Sequence, residues 1–496
     1  MEGDYVHNAQ IHTSHARLSR TLAKASLVLP SIVMAVVIAG EVPIIGKDAQ
    51  YYLQSGSLWA EGKVSYAGSH IGTRIFPVLY YYFFEWALGP SIDSVSIALG
   101  VLFLAFCGAA AWLCYDGLRS EKLRAVAFLT IIAIGFVWID WRRPQTEPFI
   151  VILVLLGLVL VQKAFRAPNP SGQCSLLCLA ALMCGIGLGF RTETLILLIS
   201  IILVWVAAGV ARQTKVNAIL ASAAMVFSFI GGSYVPGLAF RALSGQPMPQ
   251  QLTGYFVFFH PVEAFGNASF GPASAELAKL GAELLSHAPR RIDIEPIRLG
   301  LSGAYNSRGP KYASDLYLRA GLETITATPR AVIADTASTA LAYLATRPGT
   351  YRVDKDDVAM ADTRERLAEI DGERLEQAKW RFLGDFSWPT ATIVDNRTSA
   401  RPVLEGIETP YLTFSIPAWA VAALTAVALI VSLKSAQAPW VIAVAALFYI
   451  GSVMAAAFTQ GFVDRYWLAA SLPLMAAIVL GILKTNDRLP VTQISS

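Results

Sequence analysis

Long apolar runs recur along this chain, and they constrain its fold more than any other feature. Only 15% of the 496 residues are charged and 55% are hydrophobic, whereas a soluble domain carries roughly 25% charged residues. A run of about 20 apolar residues is long enough to cross a bilayer as a helix. The sequence therefore predicts an all-α polytopic membrane protein with about ten transmembrane helices. The candidate helices are residues 26–45, 92–115, 124–138, 148–161, 174–190, 194–210, 218–240, 411–431, 439–458 and 467–483.

The distribution of basic residues predicts the orientation of these helices. Loops on the cytoplasmic side of a membrane carry an excess of Lys and Arg. With the amino terminus inside, the short inner loops and the carboxyl tail receive most of the basic residues, and Arg142 and Arg143 are the main exception. The predicted outer loops contain no cysteine, which fits a multi-pass protein of a bacterial inner (plasma) membrane. The inner set is Arg119, Lys122, Lys163, Arg166, Arg212, Lys215, Lys434, Lys484 and Arg488.

The same topology divides the chain into three parts. Residues 1–240 form an amino-terminal transmembrane module whose first outer loop is 46–91, and residues 411–496 form a carboxyl-terminal transmembrane module. Between them, residues 241–410 are densely charged but retain recurring apolar residues, which predicts a large, mostly helical extracytoplasmic loop domain. Within it, residues 331–346 are apolar but short, so this segment either lies on the membrane surface or spans it.

Several functions are disfavoured by composition. The formal net charge of +4 gives no reason to expect nucleic-acid binding. All five cysteines lie in or beside apolar runs without a paired CxxC pattern, so neither a disulfide framework nor a zinc site is predicted. Gly185, Gly187 and Gly189 lie in an apolar run without a preceding strand, so they predict helix packing rather than a dinucleotide site.

The predicted outer loops contain many ionisable residues. Asp48 is the most informative, because a carboxylate at the membrane–water boundary, followed by an aromatic-rich amphipathic loop, suits a catalytic base. The plain alternative is that the charges are loop residues and that Tyr80, Tyr81, Tyr82 and Trp86 form an interfacial aromatic belt. The ionisable set is Lys47, Asp48, Glu61, Lys63, His70, Arg74, Glu85, Asp140, Arg142, Arg143, Glu147, Arg191, Glu193, Asp464 and Arg465.

The first outer loop resembles that of a known superfamily. Asp48-Ala49-Gln50-Tyr51-Tyr52, with Leu58 to Lys63 and Tyr66, is similar to the first outer loop of the GT-C superfamily, which includes protein O-mannosyltransferases and lipid A aminoarabinose transferases. The segments from Arg74 to Tyr81, from Arg143 to Glu147, and Arg465-Tyr466 with Pro473 resemble later motifs. The sequence departs from the mannosyltransferases at Ala49, where they have a second acid, and at Val78, where a second proline is common.

The resemblance implies a function and a set of site residues. It implies transfer of a sugar from a polyprenyl-phosphate donor to a hydroxyl of a glycan, lipid or protein acceptor on the outer face, with inversion. Asp48 would be the catalytic base. No metal ligands are predicted, although the resemblance allows a divalent metal because some relatives use one. The implied substrate-binding residues are Tyr51, Tyr52, Arg74, Arg142, Arg143, Glu147, Arg191, Glu193, Arg465 and Tyr466.

Two alternatives remain open from the sequence. A polysaccharide polymerase or ligase would use a diphosphate-linked oligosaccharide, and it would concentrate its functional residues in the large outer loop. A lipid or sugar transporter (flippase) would carry ionisable residues or broken helices near mid-bilayer. Most charges in this chain lie at the ends of the predicted helices, which favours the transferase.

Overall fold

The computed structural model describes thirteen parts of the chain, and within them every regular element is helical. The described parts are residues 28–40, 43, 47–61, 74–89, 91–139, 141, 144–211, 214–248, 253–286, 295–345, 418–432, 438–460 and 464–486. No strand occurs among these residues. The predicted all-α class is therefore confirmed.

Seventeen α-helices and one short 3₁₀ turn make up the described parts. Each of the ten predicted apolar runs falls on one of these helices, or on the adjoining pair α9 and α10. The helices are α1 Val28–Gly40, α2 Lys47–Ala60, α3 Ile75–Leu88, α4 Ile92–Gly117, α5 Glu121–Trp138, α6 Glu147–Arg166, α7 Pro170–Gly187, α8 Thr194–Ala211, α9 Lys215–Ser233, α10 Val235–Ser244, α11 Thr253–Phe265, α12 Pro272–Ser286, α13 Pro296–Ala327, α14 Pro329–Ala345, α15 Ala418–Ser432, α16 Ala438–Gln460 and α17 Asp464–Asn486.

Six helices are long and apolar enough to cross a membrane, and they define a multi-pass membrane protein. Three shorter apolar helices lie within α1, α15 and α17. The predicted count of about ten spans stays a prediction, because α5 and the shorter helices do not meet the same length and composition. The six spans are Asp93–Gly117, Glu147–Arg166, Pro170–Gly187, Thr194–Ala211, Val216–Ser244 and Pro439–Thr459.

Glycine lets two of these spans approach closely. A Cβ atom on Gly185 of α7 would lie 2.2 Å from the Phe229 carbonyl oxygen of α9, and one on Gly232 would lie 2.4 Å from the Leu182 carbonyl oxygen. Neither distance leaves room for any side chain. Small residues at such a crossing allow backbone-to-backbone packing in a bilayer. The predicted packing role of Gly185 is therefore confirmed.

Helices α11 to α14 form a helical unit that contacts the spans through α16. In this unit α12 and α13 pack along each other, and α13 bends at Gly309 and Pro310. The Glu323 carboxylate accepts hydrogen bonds from the backbone N–H groups of Ala273 (3.0 Å) and Ser274 (2.8 Å), so it caps the start of α12. The helical prediction for 241–410 holds over the described residues, and 249–252, 287–294 and 346–410 lie outside them. Its outer location stays a prediction.

The segment predicted to lie on or span the membrane falls in α14. That helix packs against α15 and α16, which belong to the apolar part of the chain. Among the described helices, α14 belongs neither to the six that are long and apolar enough to span nor to the three shorter apolar ones. Both alternatives for this segment therefore stay predictions.

Candidate functional site

The candidate site forms where α3, α6 and the α7–α8 turn meet. The backbone N–H of Phe76 donates to the Gly189 carbonyl oxygen (3.0 Å), which ties the start of α3 to the turn. A Cβ atom on Gly189 would lie 2.5 Å from the Phe76 ring and 2.9 Å from Pro236. The turn therefore brings the beginning of α3 and the beginning of α10 against the mouths of the spans.

A buried ion cluster lies at this meeting point. The Arg191 guanidinium, from the α7–α8 turn, contacts the Glu147 carboxylate at 2.8 Å and also pairs with Glu193. It donates to the Thr146 hydroxyl as well (3.2 Å). The side chains of Arg191 and Glu147 are 4% and 7% exposed, whereas that of Glu193 is 23% exposed. Three residues that the sequence analysis assigned to the site are therefore in contact.

The Arg191 cluster follows from the way the local helices end. Glu147 is the first residue of α6 and lies beside Pro148, where a proline is well tolerated and a carboxylate interacts favourably with the helix dipole. Arg191 follows the carboxyl end of α7, and its N–H donates to the Gly187 carbonyl oxygen (2.9 Å). The antiparallel packing of α6 and α7 then brings the two charged side chains to the same end.

A second pair of predicted residues lies beside the first outer loop. The Arg74 guanidinium donates to the Tyr52 hydroxyl, and its carbon lies 6.0 Å from the centre of the Tyr52 ring. Tyr52 is on α2 and is 2% exposed, whereas Arg74 directly precedes α3. The predicted residues Tyr52 and Arg74 are therefore joined, and this pair couples α2 to α3.

Tyr81 is a buried residue of the site that the sequence analysis did not identify. It is 0% exposed, and its hydroxyl has no hydrogen-bond partner among the described residues. Burial raises the pKa of this hydroxyl well above its ordinary value, and the neighbouring Tyr80, Tyr52 and Glu147 raise it further. The Tyr81 ring also packs edge-to-face on that of Phe149, with ring centres 6.3 Å apart, so Tyr81 lies beside the start of α6. Because buried polar groups are usually hydrogen-bonded, this hydroxyl is a candidate for a hydrogen bond to a bound substrate.

The aromatic-belt alternative fails for Tyr81 and fits Trp86. Trp86 is 72% exposed, as expected of a belt residue, whereas Tyr81 faces the protein interior. Tyr80, Tyr81 and Tyr82 are consecutive, so the hydrophobic pattern of the sequence does not show which of them faces the interior. In α3, Tyr81 lies one turn after Pro77 and Val78, on the side of the helix that buries them.

Aromatic rings line the same region. Phe76 and Phe149 each pack against Phe190, with ring centres 4.9 Å and 5.2 Å apart. Tyr80 packs edge-to-face on Phe149 at 5.2 Å. Such packing fixes the positions of α3, α6 and the turn, because aromatic pairs add about 0.5–1.5 kcal/mol beyond the area they bury.

Several predicted site residues lie wholly or partly outside the described part of the chain. Arg142 and Arg143 are outside it, as is Asp140. For Asp48, Tyr51, Arg465 and Tyr466 the backbone belongs to α2 or α17, but their side chains are outside the described residues. Asp48 occupies the first turn of α2, one helical turn before Tyr52. Their predicted roles stay predictions.

The described residues contain no group of three or more His, Cys, Asp or Glu side chains that could hold a metal ion. Three of the five cysteines are buried in the helices, and all five are free thiols. The described acidic residues of the site, Glu147 and Glu193, are bound to Arg191. The chemistry that this arrangement supports is therefore recognition of polar and anionic groups by guanidinium, carboxylate and tyrosine side chains.

Comparison with known proteins assigns no family. No family model matches the chain, and no curated protein matches it. Among solved structures, a likeness was found to the crystal structure of ArnT from Cupriavidus metallidurans bound to undecaprenyl phosphate. It covers 96% of this chain and 77% of that chain, with 12% sequence identity and a TM-score of 0.33. At that score the two folds are not shown to be the same, and the function proposed below is argued from the residues of the site.

Proposed function

We propose that this protein is a membrane glycosyltransferase that moves a sugar from a polyprenyl-phosphate donor to an acceptor hydroxyl at the outer face of the inner membrane. The observation that carries the proposal is the enclosed polar group of Tyr52, Arg74, Tyr81, Glu147 and Arg191 at the mouths of the spans. A polyprenyl-phosphate donor keeps its tail in lipid and its phosphate at the boundary, so its reacting carbon lies at that depth.

The placement of charge favours surface chemistry over transport. Between their terminal turns, the six candidate spans contain no Asp, Glu, Lys or Arg. A transporter or flippase is expected to place ionisable residues near mid-bilayer. The one break in a spanning segment, at Tyr234 between α9 and α10, lies next to Pro236, which packs at the α7–α8 turn of the candidate site.

The proposed reaction is a direct displacement at the anomeric carbon. The acceptor oxygen forms a bond to that carbon while the bond to the phosphate oxygen breaks, so the configuration inverts. Asp48 takes the acceptor proton, a general-base role that contributes about 10²–10⁴-fold. The leaving polyprenyl phosphate is a stable anion, so it needs positive charge rather than a general acid.

The proposal also gives roles to the arginines and to the remaining acidic residues. In this proposal Arg74 contacts the phosphate, and its hydrogen bond to the Tyr52 hydroxyl orients the guanidinium. Arg191 is already paired with two carboxylates, so it acts as the fixed centre of the site, and Glu147 and Glu193 hold it there. The predicted contacts of Tyr51, Arg142, Arg143, Arg465 and Tyr466 complete the donor site in this proposal.

The test is a comparison of cell-surface glycans by mass spectrometry in a strain that lacks this protein. The strain is rescued with wild type, with Asp48→Asn, or with Asp315→Asn, at matched amounts in the membrane. Asp315 is exposed on α13 and provides the same chemical change away from the site. We expect one defined sugar to be lost in the deletion strain and restored by wild type and Asp315→Asn only. Full rescue by Asp48→Asn would refute the proposed base, and an unchanged glycan profile would refute the transferase.

A further inference from the structure

The opposite end of the spans carries a second arrangement of aromatic and basic residues. Glu147 and Arg166 are the two ends of the spanning helix α6, so the region around Arg166 lies on the membrane face opposite the candidate site. There, Trp112 and Tyr115 lie three residues apart in the last two turns of α4, and they are 44% and 67% exposed. Exposed Trp and Tyr at the end of a span lie at the level of the lipid headgroups.

Each of these two rings holds a cation from a different helix. The Lys163 ammonium of α6 lies 4.9 Å from the centre of the Trp112 ring. The Arg124 guanidinium of α5 lies 4.2 Å from the centre of the Tyr115 ring, and its Nε donates to the Leu118 carbonyl oxygen (2.7 Å). Both distances are within the range of a cation–π contact. Because Trp112 and Tyr115 are three residues apart on α4, their exposed rings are neighbours on the helix surface, and each holds one positive group there.

Asp116, an acidic residue at this end of the spans, is bound to other residues. Asp116 accepts from Gln162 Nε2 (2.9 Å) and pairs with Arg166 (3.1 Å), and its side chain is only 17% exposed. Among the described residues, neither Lys163 nor Arg124 forms an ion pair. Further basic residues raise the positive potential at this end. This end contains five basic residues and two acidic ones: Arg119, Lys122, Arg124, Lys163 and Arg166, with Asp116 and Glu121.

We propose that this surface, formed by Trp112, Tyr115, Arg124 and Lys163, binds the headgroup of an anionic phospholipid. The phosphate contacts the faces of the ammonium and guanidinium groups that the rings leave uncovered. The glycerol and upper acyl carbons pack on the exposed rings. The occupant is a lipid rather than a soluble phosphate, because half of the surface is apolar and belongs to a spanning helix. Basic residues near an anionic membrane surface each strengthen binding by about fivefold.

Native mass spectrometry of the full chain tests this site. The protein is released from detergent containing equal amounts of phosphatidylglycerol and phosphatidylcholine, and the retained lipids are counted. We expect wild type to retain phosphatidylglycerol preferentially. The double variant Lys163→Gln/Arg124→Gln should bind it about 30-fold more weakly, as two cations are removed. Lys279→Gln/Lys311→Gln, which removes two exposed cations of the helical unit, should bind as wild type does.

A charge-conserving variant keeps the proposal testable if the first variant does not fold. Lys163→Arg/Arg124→Lys retains both charges and should retain the lipid preference. Loss of the preference in that variant would overturn the charge-based site. So would an unchanged preference in Lys163→Gln/Arg124→Gln, or equal retention of both lipids by wild type. Displacement of the lipid by millimolar inorganic phosphate would show an ordinary anion site and refute a lipid site.

Discussion

Removal of Arg191 should destabilise the protein more than removal of either of its acidic partners. Arg191 and Glu147 lie 2.8 Å apart with 4% and 7% of their side chains exposed. In Arg191→Gln the Glu147 carboxylate loses its charged partner in a site that water scarcely reaches. Breaking a buried pair from one side typically costs about 3–5 kcal/mol. We therefore expect Arg191→Gln to lower the free energy of unfolding by that amount.

The acidic variants should cost less, and by different amounts. Glu147→Gln leaves Arg191 paired with Glu193 and bonded to the Thr146 hydroxyl, so the loss is that of one charged hydrogen bond, about 2 kcal/mol. Glu193 is 23% exposed, and a pair of this exposure contributes about 1 kcal/mol or less. The expected order of destabilisation is therefore Arg191→Gln, then Glu147→Gln, then Glu193→Gln.

A double-mutant cycle separates the pair from its surroundings. The free energies of unfolding are measured by reversible titration from mild detergent into mixed micelles, followed by circular dichroism. Glu147→Gln/Arg191→Gln removes both charges, so it should cost about 2 kcal/mol less than the sum of the single variants. Additive effects of Glu147→Gln and Arg191→Gln, or an equal loss in Glu193→Gln, would refute the buried ion cluster.

Three further predictions follow from residues around the site and the spans. Tyr81→Phe removes a buried hydroxyl that has no hydrogen-bond partner among the described residues, so thermal unfolding should show a gain of about 1 kcal/mol. Sugar transfer in cells should fall, because the enclosed polar group that carries the proposal loses this hydroxyl. Tyr317→Phe removes another such hydroxyl, on α13, and should leave transfer unchanged. Burial raises the pKa of Glu85 from 4.5 to about 8, so between these pH values the folded protein keeps a proton that the unfolded chain has lost. The free energy of unfolding should therefore fall as the pH rises through this range. Glu85→Gln should remove this pH dependence, and an unchanged dependence would contradict the prediction. Gly185→Ala should lower the free energy of unfolding by about 1–3 kcal/mol, because the added Cβ atom forces α7 away from α9. Gly231→Ala, whose Cβ position has open space around it, should change this free energy little. Equal losses in the two variants would rule out the tight crossing of α7 and α9.

The helices were predictable from the sequence because a spanning segment must satisfy its own backbone hydrogen bonds. Apolar length alone therefore located every one of the ten runs on a described helix. Their ends and capacity to span depend on local detail: α5 carries Glu121, Lys122 and Arg124 in its first turn, which keeps it outside the six spans. The described residues of the long loop are helical as predicted.

The charged residues of the described site were predictable from the sequence, and Tyr81 was not. Glu147, Arg191 and Glu193 were identifiable because charges at helix mouths must pair or face water. Tyr81 was missed because its role depends on the rotation of α3 against α2 and α6, which the aromatic run from Tyr80 to Phe84 does not encode. Only tertiary packing distinguishes a buried hydroxyl from an interfacial one in such a run.

The Arg191 cluster also restricts how the protein can admit a lipid-borne molecule. Its charges join the start of α6 to the turn between α7 and α8, and separating them in a low-dielectric setting would cost several kcal/mol. The outer ends of these three helices should therefore move as one body. A lateral opening toward the bilayer then has to come from the side of α3, which is joined to this body by the backbone hydrogen bond from Phe76 to Gly189 and by the packing of Phe76 on Phe190 and of Tyr80 on Phe149.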